Sequence, residues 1–312
     1  MPQPTSNTIH VDRPLQNFAE RFMNEQSDFV MMQAFPRLPV ANRSDYYYKF
    51  DKRYWFSDEM QTRAPGDTFA RSGYELTTGV YFAEQRALEH AIPDENRANA
   101  DAGINLDQEA VEFVTTKNLL EQEIRIGAAT LGSGIWSSSD ASATNWDDSS
   151  GVPITAIQRA QRAVRDLTGR IPNAIVMGLI VEHALSTNAQ IVEKVKYSQR
   201  ALPEDIRAIL AASLGLEFVF VSQASYNSAA EGEDASLAPI VDDDALVFYR
   251  PRTVGQKTAT AALVLDWNGG GGIGTIERWR DESIKSDIVR VYSAYDIKVT
   301  AADLGYWLPD VA

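Results

Sequence analysis

Between residues 40 and 105 the chain carries more aromatic surface than that stretch can bury within itself. Tyr46, Tyr47, Tyr48, Phe50, Tyr54, Trp55 and Phe56 crowd one short polar run, and Tyr74-Glu75-Leu76 to Val80-Tyr81-Phe82 form a second. Ala64-Pro65-Gly66-Asp67 lies between them. Those are turn residues, because proline presets one backbone angle and glycine admits a positive φ. Two strand-like runs across a Pro-Gly turn predict a long hairpin over residues 46–82. A two-stranded hairpin alone is marginal in water, so this one is expected to lie on another surface. If that surface belongs to a second copy of the chain, the protein is a building block and not a catalyst.

Composition narrows the partner. With 312 residues, 44% of them hydrophobic, the chain can bury a substantial core in one elaborate domain or two smaller ones. A formal net charge of −14 opposes gripping nucleic acid through clustered Lys and Arg, and equally opposes docking on anionic lipid. It suits the wall of a container whose contents must not adhere. The absence of cysteine removes disulfides, thiolate nucleophiles and Cys-ligated metals, and fits assembly in a reducing compartment. No apolar run approaches the ~20 residues of a membrane span. The opening Met-Pro-Gln-Pro-Thr-Ser-Asn lacks the basic and apolar regions of a signal peptide. The expectation is a soluble protein, intracellular when made.

Along the chain, residues 1–45 read as an arm punctuated by Pro2, Pro4, Pro14, Pro36 and Pro39, with a short helix around Leu15 to Met23. Its apolar residues, including Phe18, Phe22, Phe29, Val30, Met31, Met32 and Phe35, predict that it lies against a surface. Glu84 to Asp107 reads as an acidic, polar connector. Then comes the clearest helix, at about 107–131. Asn105 and Gln108 have capping-box spacing. Ala110, Phe113, Val114, Leu120, Ile124, Ala128 and Leu131 recur three and four residues apart, and Gly132-Ser133-Gly134 ends the run. At roughly 25 residues the helix would be ~37 Å long. From Pro153 to Val221 helices and strands alternate, with Pro153 at a helix start, Ile157, Ala160, Val164 and Leu167 as its stripe, Gly169 past its end and Ala174-Ile175-Val176-Met177 as a short buried strand. Ser222 to Asp244 reads as an acidic loop, and the rest is β-rich: Ala245 to Tyr249, Ala259 to Trp267, Gly274 to Arg280 and Ile288 to Val299.

The motifs of catalysis do not assemble. Gly269, Gly271 and Gly274 spell G-x-G-x-x-G, but the following Thr275 to Arg280 alternates like a strand where a nucleotide site needs a helix, so the run reads as a β-hairpin loop. His10, His90 and His183 are scattered, and neither H-E-x-x-H nor G-x-S-x-G occurs. Asp242-Asp243-Asp244, and Asp140 with Asp147 and Asp148, lack EF-hand spacing and read as solvated acidic loops. No catalytic, cofactor or metal residue is assigned.

The order of elements carries the reading further: arm, long hairpin, long helix, α/β middle, β-rich return. With Arg63-Ala64-Pro65-Gly66, Ile171-Pro172-Asn173-Ala174-Ile175-Val176-Met177-Gly178, Ile191 to Tyr197, Ala224 to Ala229 and the ending from Arg280 to Tyr306, it resembles the major capsid protein of tailed bacteriophages. That family has the α+β Hong Kong 97-type fold, shared with encapsulins. The resemblance implies an N-arm over 1–45, an E-loop hairpin over 46–82 and a P-domain over 83–150 with its spine helix at 107–131. It further implies an A-domain over 151–267 and a β return to the P-domain over 268–312. It implies a non-enzymatic subunit without cofactor that forms hexamers and pentamers of an icosahedral head around double-stranded DNA. Such a subunit is assembled in the host bacterial cytoplasm and resides in the virion. Intersubunit contacts would fall to Tyr46, Tyr47, Tyr48, Phe50, Tyr54, Trp55, Phe56, Arg63, Tyr74, Tyr81 and Phe82, with Phe18 and Phe22 of the arm. Phe113, Val114, Leu120 and Ile124 would pack the spine helix. Because no long helical extension precedes the arm, the resemblance implies either a separate scaffolding protein or a mature form of the chain, with a portal and a cement protein as further partners. Lys49 and Lys52 lie in the hairpin, where the type member forms a covalent cross-link, but read as surface lysines. An encapsulin-type compartment and a soluble α/β enzyme are the competing readings.

Overall fold

A computed structural model describes residues 26–100, 105–140, 145–196, 203–255, 258–270 and 273–312. Phe18, Phe22, His10 and the helix expected near residues 15–23 lie outside those residues. In chain order the elements are α1 (Met31–Ala34), β1 (Arg37–Val40), β2 (Ser44–Phe50), α2 (Lys52–Trp55), β3 (Leu76–Phe82), β4 (Glu84–Pro93), α3 (Asp94–Asn99) and α4 (Leu106–Thr130). They continue with β5 (Ser138–Ser139), α5 (Pro153–Thr168), β6 (Ala174–Gly178), α6 (Leu179–Thr187), α7 (Ala189–Lys196), α8 (Pro203–Leu214) and β7 (Phe218–Ser222). The last are β8 (Ser225–Asn227), β9 (Leu237–Pro239), β10 (Ala245–Phe248), β11 (Ala262–Trp267), β12 (Thr275–Asp281), β13 (Ser286–Val299) and β14 (Gly305–Leu308).

One half of the molecule is an α/β layer on a sheet of order β5-β14-β10-β6-β7. Every residue of β6 and β10 is buried, as expected of strands covered on both faces. Helix α5 opens on Pro153 and closes at Gly169, whose φ of 69° is the left-handed cap a glycine adopts without strain. Ile157, Ala160 and Val164 are buried as expected, whereas Leu167 is exposed because the chain leaves the sheet at the cap. The N-terminal segment enters the same core: Phe29, Val30, Met31 and Phe35 are buried, and the Phe35 ring stacks on Phe248 at 4.9 Å.

The other half is α4 laid across a second sheet, β1-β11-β13-β12 with β4 paired to β13. Tyr295 pairs with Glu84 on one side and Asp266 on the other, so β11 and β12 follow one another along the same edge of β13. They do not form the hairpin expected around Gly269 and Gly274, because each pairs with β13 and not with the other.

Two further expectations are corrected. The supposed connector is a ten-residue strand, β4, followed by α3. Its apolar residues fall on both faces, so alternation was no guide. Its ladder with β13 holds it, pairing Glu84 to Pro93 with Tyr295 to Ser286, and Arg290 Nε lies 2.7 Å from the opposite Glu89 Oε1. Strand assignment also crosses the expected boundaries. β11, placed with the middle block, pairs with β13, and β14, placed with the return, pairs with β10.

Helix α4 forms where expected, but its buried face differs. Asn105 Oδ1 accepts from Gln108 N–H at 3.3 Å, while the Gln108 side chain turns to Glu112, so only half of the capping box forms. Ala110 and Val114 are buried, but Phe113 is 48% exposed, Leu120 and Ile124 are half-buried, and Ala128 is exposed. The buried residues of the second half are Gln122, Glu123, Ile126, Gly127 and Thr130. The helix bridges two cores. Its start packs on Ile92, Val289 and Val291, its end joins the α/β core, and between them Ser293 Oγ donates to Asn118 Oδ1 at 2.7 Å. A single apolar stripe cannot describe a helix that changes partner halfway.

Candidate intersubunit surface

Strands β2 and β3 pair antiparallel, with Tyr46 opposite Val80, Tyr47 opposite Gly79, Tyr48 opposite Thr78 and Phe50 opposite Leu76. Opposed residues share a face, and successive ones alternate. One face therefore gathers Tyr46, Tyr48, Leu76, Val80 and Phe82, which are 67%, 66%, 43%, 58% and 48% exposed. The opposite face carries Tyr81, which is 6% exposed and packs with Tyr47, Leu38 and Val40 on Leu263 and Leu265. The Tyr81 hydroxyl donates to the Asn42 carbonyl at 3.1 Å, and burial with the nearby Asp45 carboxylate pushes its pKa up. At the base, Phe82 N–H donates to Asp296 Oδ2 at 2.8 Å and the Arg43 guanidinium lies 4.8 Å from the Phe82 ring centre. The hairpin is thus fastened by one face while the other holds its large apolar groups in water. Each such side chain gains about 1.5–3 kcal/mol on full burial, so this face favours association with another surface.

Residues 51–75 connect the two strands. The turn at Ala64–Asp67 forms, with Asp67 N–H donating to the Ala64 carbonyl at 3.1 Å, but it bends this connection and does not join the strands directly. Trp55, Phe56, Met60, Phe69 and Tyr74 are exposed, and Tyr54 is half-buried. The Trp55 and Tyr74 rings meet at 5.7 Å. Arg63 stacks 4.2 Å from the Phe69 ring centre and donates to the Asp67 carbonyl at 2.6 Å. Asp51 caps α2 by accepting from Arg53 N–H at 2.9 Å. Leu76 and Val80, placed in the second strand-like run but left out of the expected contacts, and Met60 and Phe69, not singled out at all, are exposed on the same hairpin and its connection. Val80 could have been found from its alternation with Phe82, whereas nothing local marks Met60 or Phe69.

A buried carboxylate, also unforeseen, ties the N-terminal segment to both halves. Glu123 is 1% exposed and accepts from Val30 N–H at 3.2 Å, Met31 N–H at 2.9 Å and Ser222 Oγ at 3.0 Å. Burial pushes its pKa up, opposed by those three donors. Elsewhere, His90 lies against the Phe113 ring at 5.6 Å and His183 is exposed on α6. Asp140 is held by Arg159 at 2.6 Å. Asp243 and Asp244 come together with Asp310, their oxygens within 4.8 Å, and this is the one group among the described residues that offers three carboxylates to a cation. Burial raises the Asp244 pKa, with Asp243 adding to the effect.

No family model matches the chain. The major capsid protein of Pseudomonas phage JBD67 is 24% identical over 282 residues, covering 88% of this chain and 89% of that protein. The major capsid protein of Burkholderia phage BcepMu is 24% identical over 198 residues, and the match spans 62% of each chain. Among solved structures, a phage-related protein of Bordetella bronchiseptica RB50 superposes with a TM-score of 0.70 at 21% identity, over 92% of this chain and 93% of that one. The mature capsid of bacteriophage PhiM1 gives a TM-score of 0.57 at 11% identity, over 94% and 89%. In sequence the chain is similar to major capsid proteins of phages, and in fold to solved phage capsid chains.

Proposed function

We propose that this chain is the shell-forming subunit of an icosahedral phage head, assembling as hexamers and pentamers around double-stranded DNA without catalysing a reaction. The observation that carries the reading is the hairpin face of Tyr46, Tyr48, Leu76, Val80 and Phe82, apolar and uncovered in the single chain. A neighbouring copy supplies the missing cover. Weak contacts of this kind, repeated over many copies, sum multivalently into a closed shell. The net charge of −14 fits a wall that does not bind the DNA it surrounds. A separate scaffolding protein, a portal and a cement protein are the partners this reading adds. The virion is its location.

The test is size-exclusion chromatography followed by electron microscopy of the purified chain. Closed shells, or six- and five-fold rings, are expected from the full chain, and soluble unassembled subunits from a variant lacking residues 46–82. A stable monomer at high concentration overturns the reading. Particles filled with protein cargo instead of DNA in the infected cell would assign the same fold to an encapsulin-type compartment.

A further inference from the structure

The segment that follows β2 is tied back onto the chain's own α/β half at two points. Lys52 Nζ lies 2.5 Å from Asp303 Oδ2, just before β14. Four residues on, the Phe56 ring lies against Gly169 at the end of α5, where an added Cβ would come within 3.1 Å of Phe56 Cε1. Both contacts join positions remote in sequence, and both form between groups that remain partly in water. The Lys52 and Asp303 side chains are 49% and 32% exposed, and Phe56 is 69% exposed. Burial pushes the Asp303 pKa up, but the Lys52 ammonium and the Ser137 side chain outweigh it and leave the carboxyl below its usual range. An exposed ion pair shifts an equilibrium only about fivefold or less. That suits a tie that must open, not one that builds the fold.

The tied segment is also the one with most to offer a partner, since Trp55, Phe56 and Met60 are all exposed. While Lys52 holds Asp303 and Phe56 rests on Gly169, these side chains cannot swing away from their own subunit. We propose that the Lys52–Asp303 pair, with Phe56 against Gly169, is an intrachain latch that parks the 51–75 connection on its own subunit and slows assembly until it opens. The closed and open states differ by two weak contacts, so a modest change at the latch shifts their populations measurably. The inference rests on the shell-forming reading above.

The experiment is a charge-reversal cycle with two readouts on purified free subunits. Trypsin cleavage after Arg63 and Arg71, the two sites in residues 51–75 that stand clear of position 52, reports opening whether or not shells form. The lag in light scattering reports assembly. Asp303→Lys and Lys52→Asp, each alone, are expected to speed cleavage about twofold to fivefold and to shorten the lag. Combining them restores the pair with reversed sign and returns both readouts toward the parent values. Lys52 opens α2, none of whose residues is buried, so its variant keeps the test open if Asp303→Lys misfolds. Equal cleavage rates in the parent and both single variants would show that no latch exists. Faster cleavage with an unchanged lag would show that the tie exists but does not slow assembly. If the parent chain forms no shells, the shell-forming reading fails, and the cleavage comparison still decides whether the tie holds the loop.

Discussion

Strands β6 and β3 are both short and rich in apolar residues, yet every residue of β6 is buried while in β3 only Tyr81 is. The difference is one of neighbours, not of side chains. β6 lies between β10 and β7 inside the α/β layer, whereas β3 has β2 beside it and the core under one face only. The first strand finds its burial within the chain; the second finds half of it. Substitutions should therefore separate the two regions cleanly, the first kind acting on folding and the second on association.

The largest effect is expected in the α/β core. Phe248 is 1% exposed and stacks on Phe35, so Phe248→Ala removes a filled volume and should cost about 3–5 kcal/mol of folding stability. Tyr46→Ser on the hairpin should cost within about 0.5 kcal/mol, as surface changes do. Denaturant unfolding of the unassembled chains measures both, and comparable losses at the two sites would remove the distinction.

Next is the hairpin face itself. The double change Tyr48→Ser with Val80→Ser removes two uncovered apolar groups from one face. If that face is the centre of a contact, the loss is expected to reach about 2 kcal/mol, or roughly a thirtyfold rise in the concentration at which shells appear. The melting temperature of the free subunit should not move. Normal assembly by this variant would place the contact elsewhere on the molecule.

The same contrast explains what could be read in the sequence. The hairpin was legible because its aromatic residues crowd one stretch, and α4 because it is long and capped. β6 and β10 were legible as short, wholly apolar runs. What could not be read depends on partners distant along the chain. β4 is a strand because β13, about 200 residues away, pairs with it along its whole length, and its own residues do not alternate. The face of α4 changes partway because the helix leaves one core for another, so Phe113 and Val114, adjacent in the expected stripe, have opposite fates. Of the candidate surface, the aromatic residues of β2 and β3 were foreseen as a set. Which face they share, and the tie from Lys52 to Asp303, emerge only from register and tertiary folding.

Glu123 sharpens the comparison from the inside, as a carboxyl only 1% exposed. Its folded-state pKa is raised above its ordinary 4.5, so its proton is held more tightly in the folded chain. The contribution of this group to stability is then complete below the unfolded value and is lost as pH rises through the raised folded value. Glu123→Gln cannot accept equally from Val30, Met31 and Ser222, and should cost about 1–3 kcal/mol at low pH. That deficit should shrink as pH rises, because only the parent carries the buried charge. Thermal unfolding of both chains between pH 4 and pH 8 measures it, and a deficit that grows with pH would contradict the assigned shift.

The smallest effect, and the finest test, lies at two consecutive residues of α4. Val114 is fully buried against Ile92, Val289 and Val291, so Val114→Ala opens a cavity in a small core and should cost about 1–3 kcal/mol. Phe113 is 48% exposed, meets His90 at 5.6 Å and lies 5.9 Å from the Lys117 ammonium at its ring centre. Phe113→Ser removes a much larger side chain yet should change folding stability by about 0.5 kcal/mol or less, because the ring leaves little buried surface behind. Size alone predicts the reverse order, and a single stripe along the helix predicts two large losses. Only the geometry, in which the helix turns one residue to the core and its neighbour to solvent, makes the smaller residue the costlier one to lose.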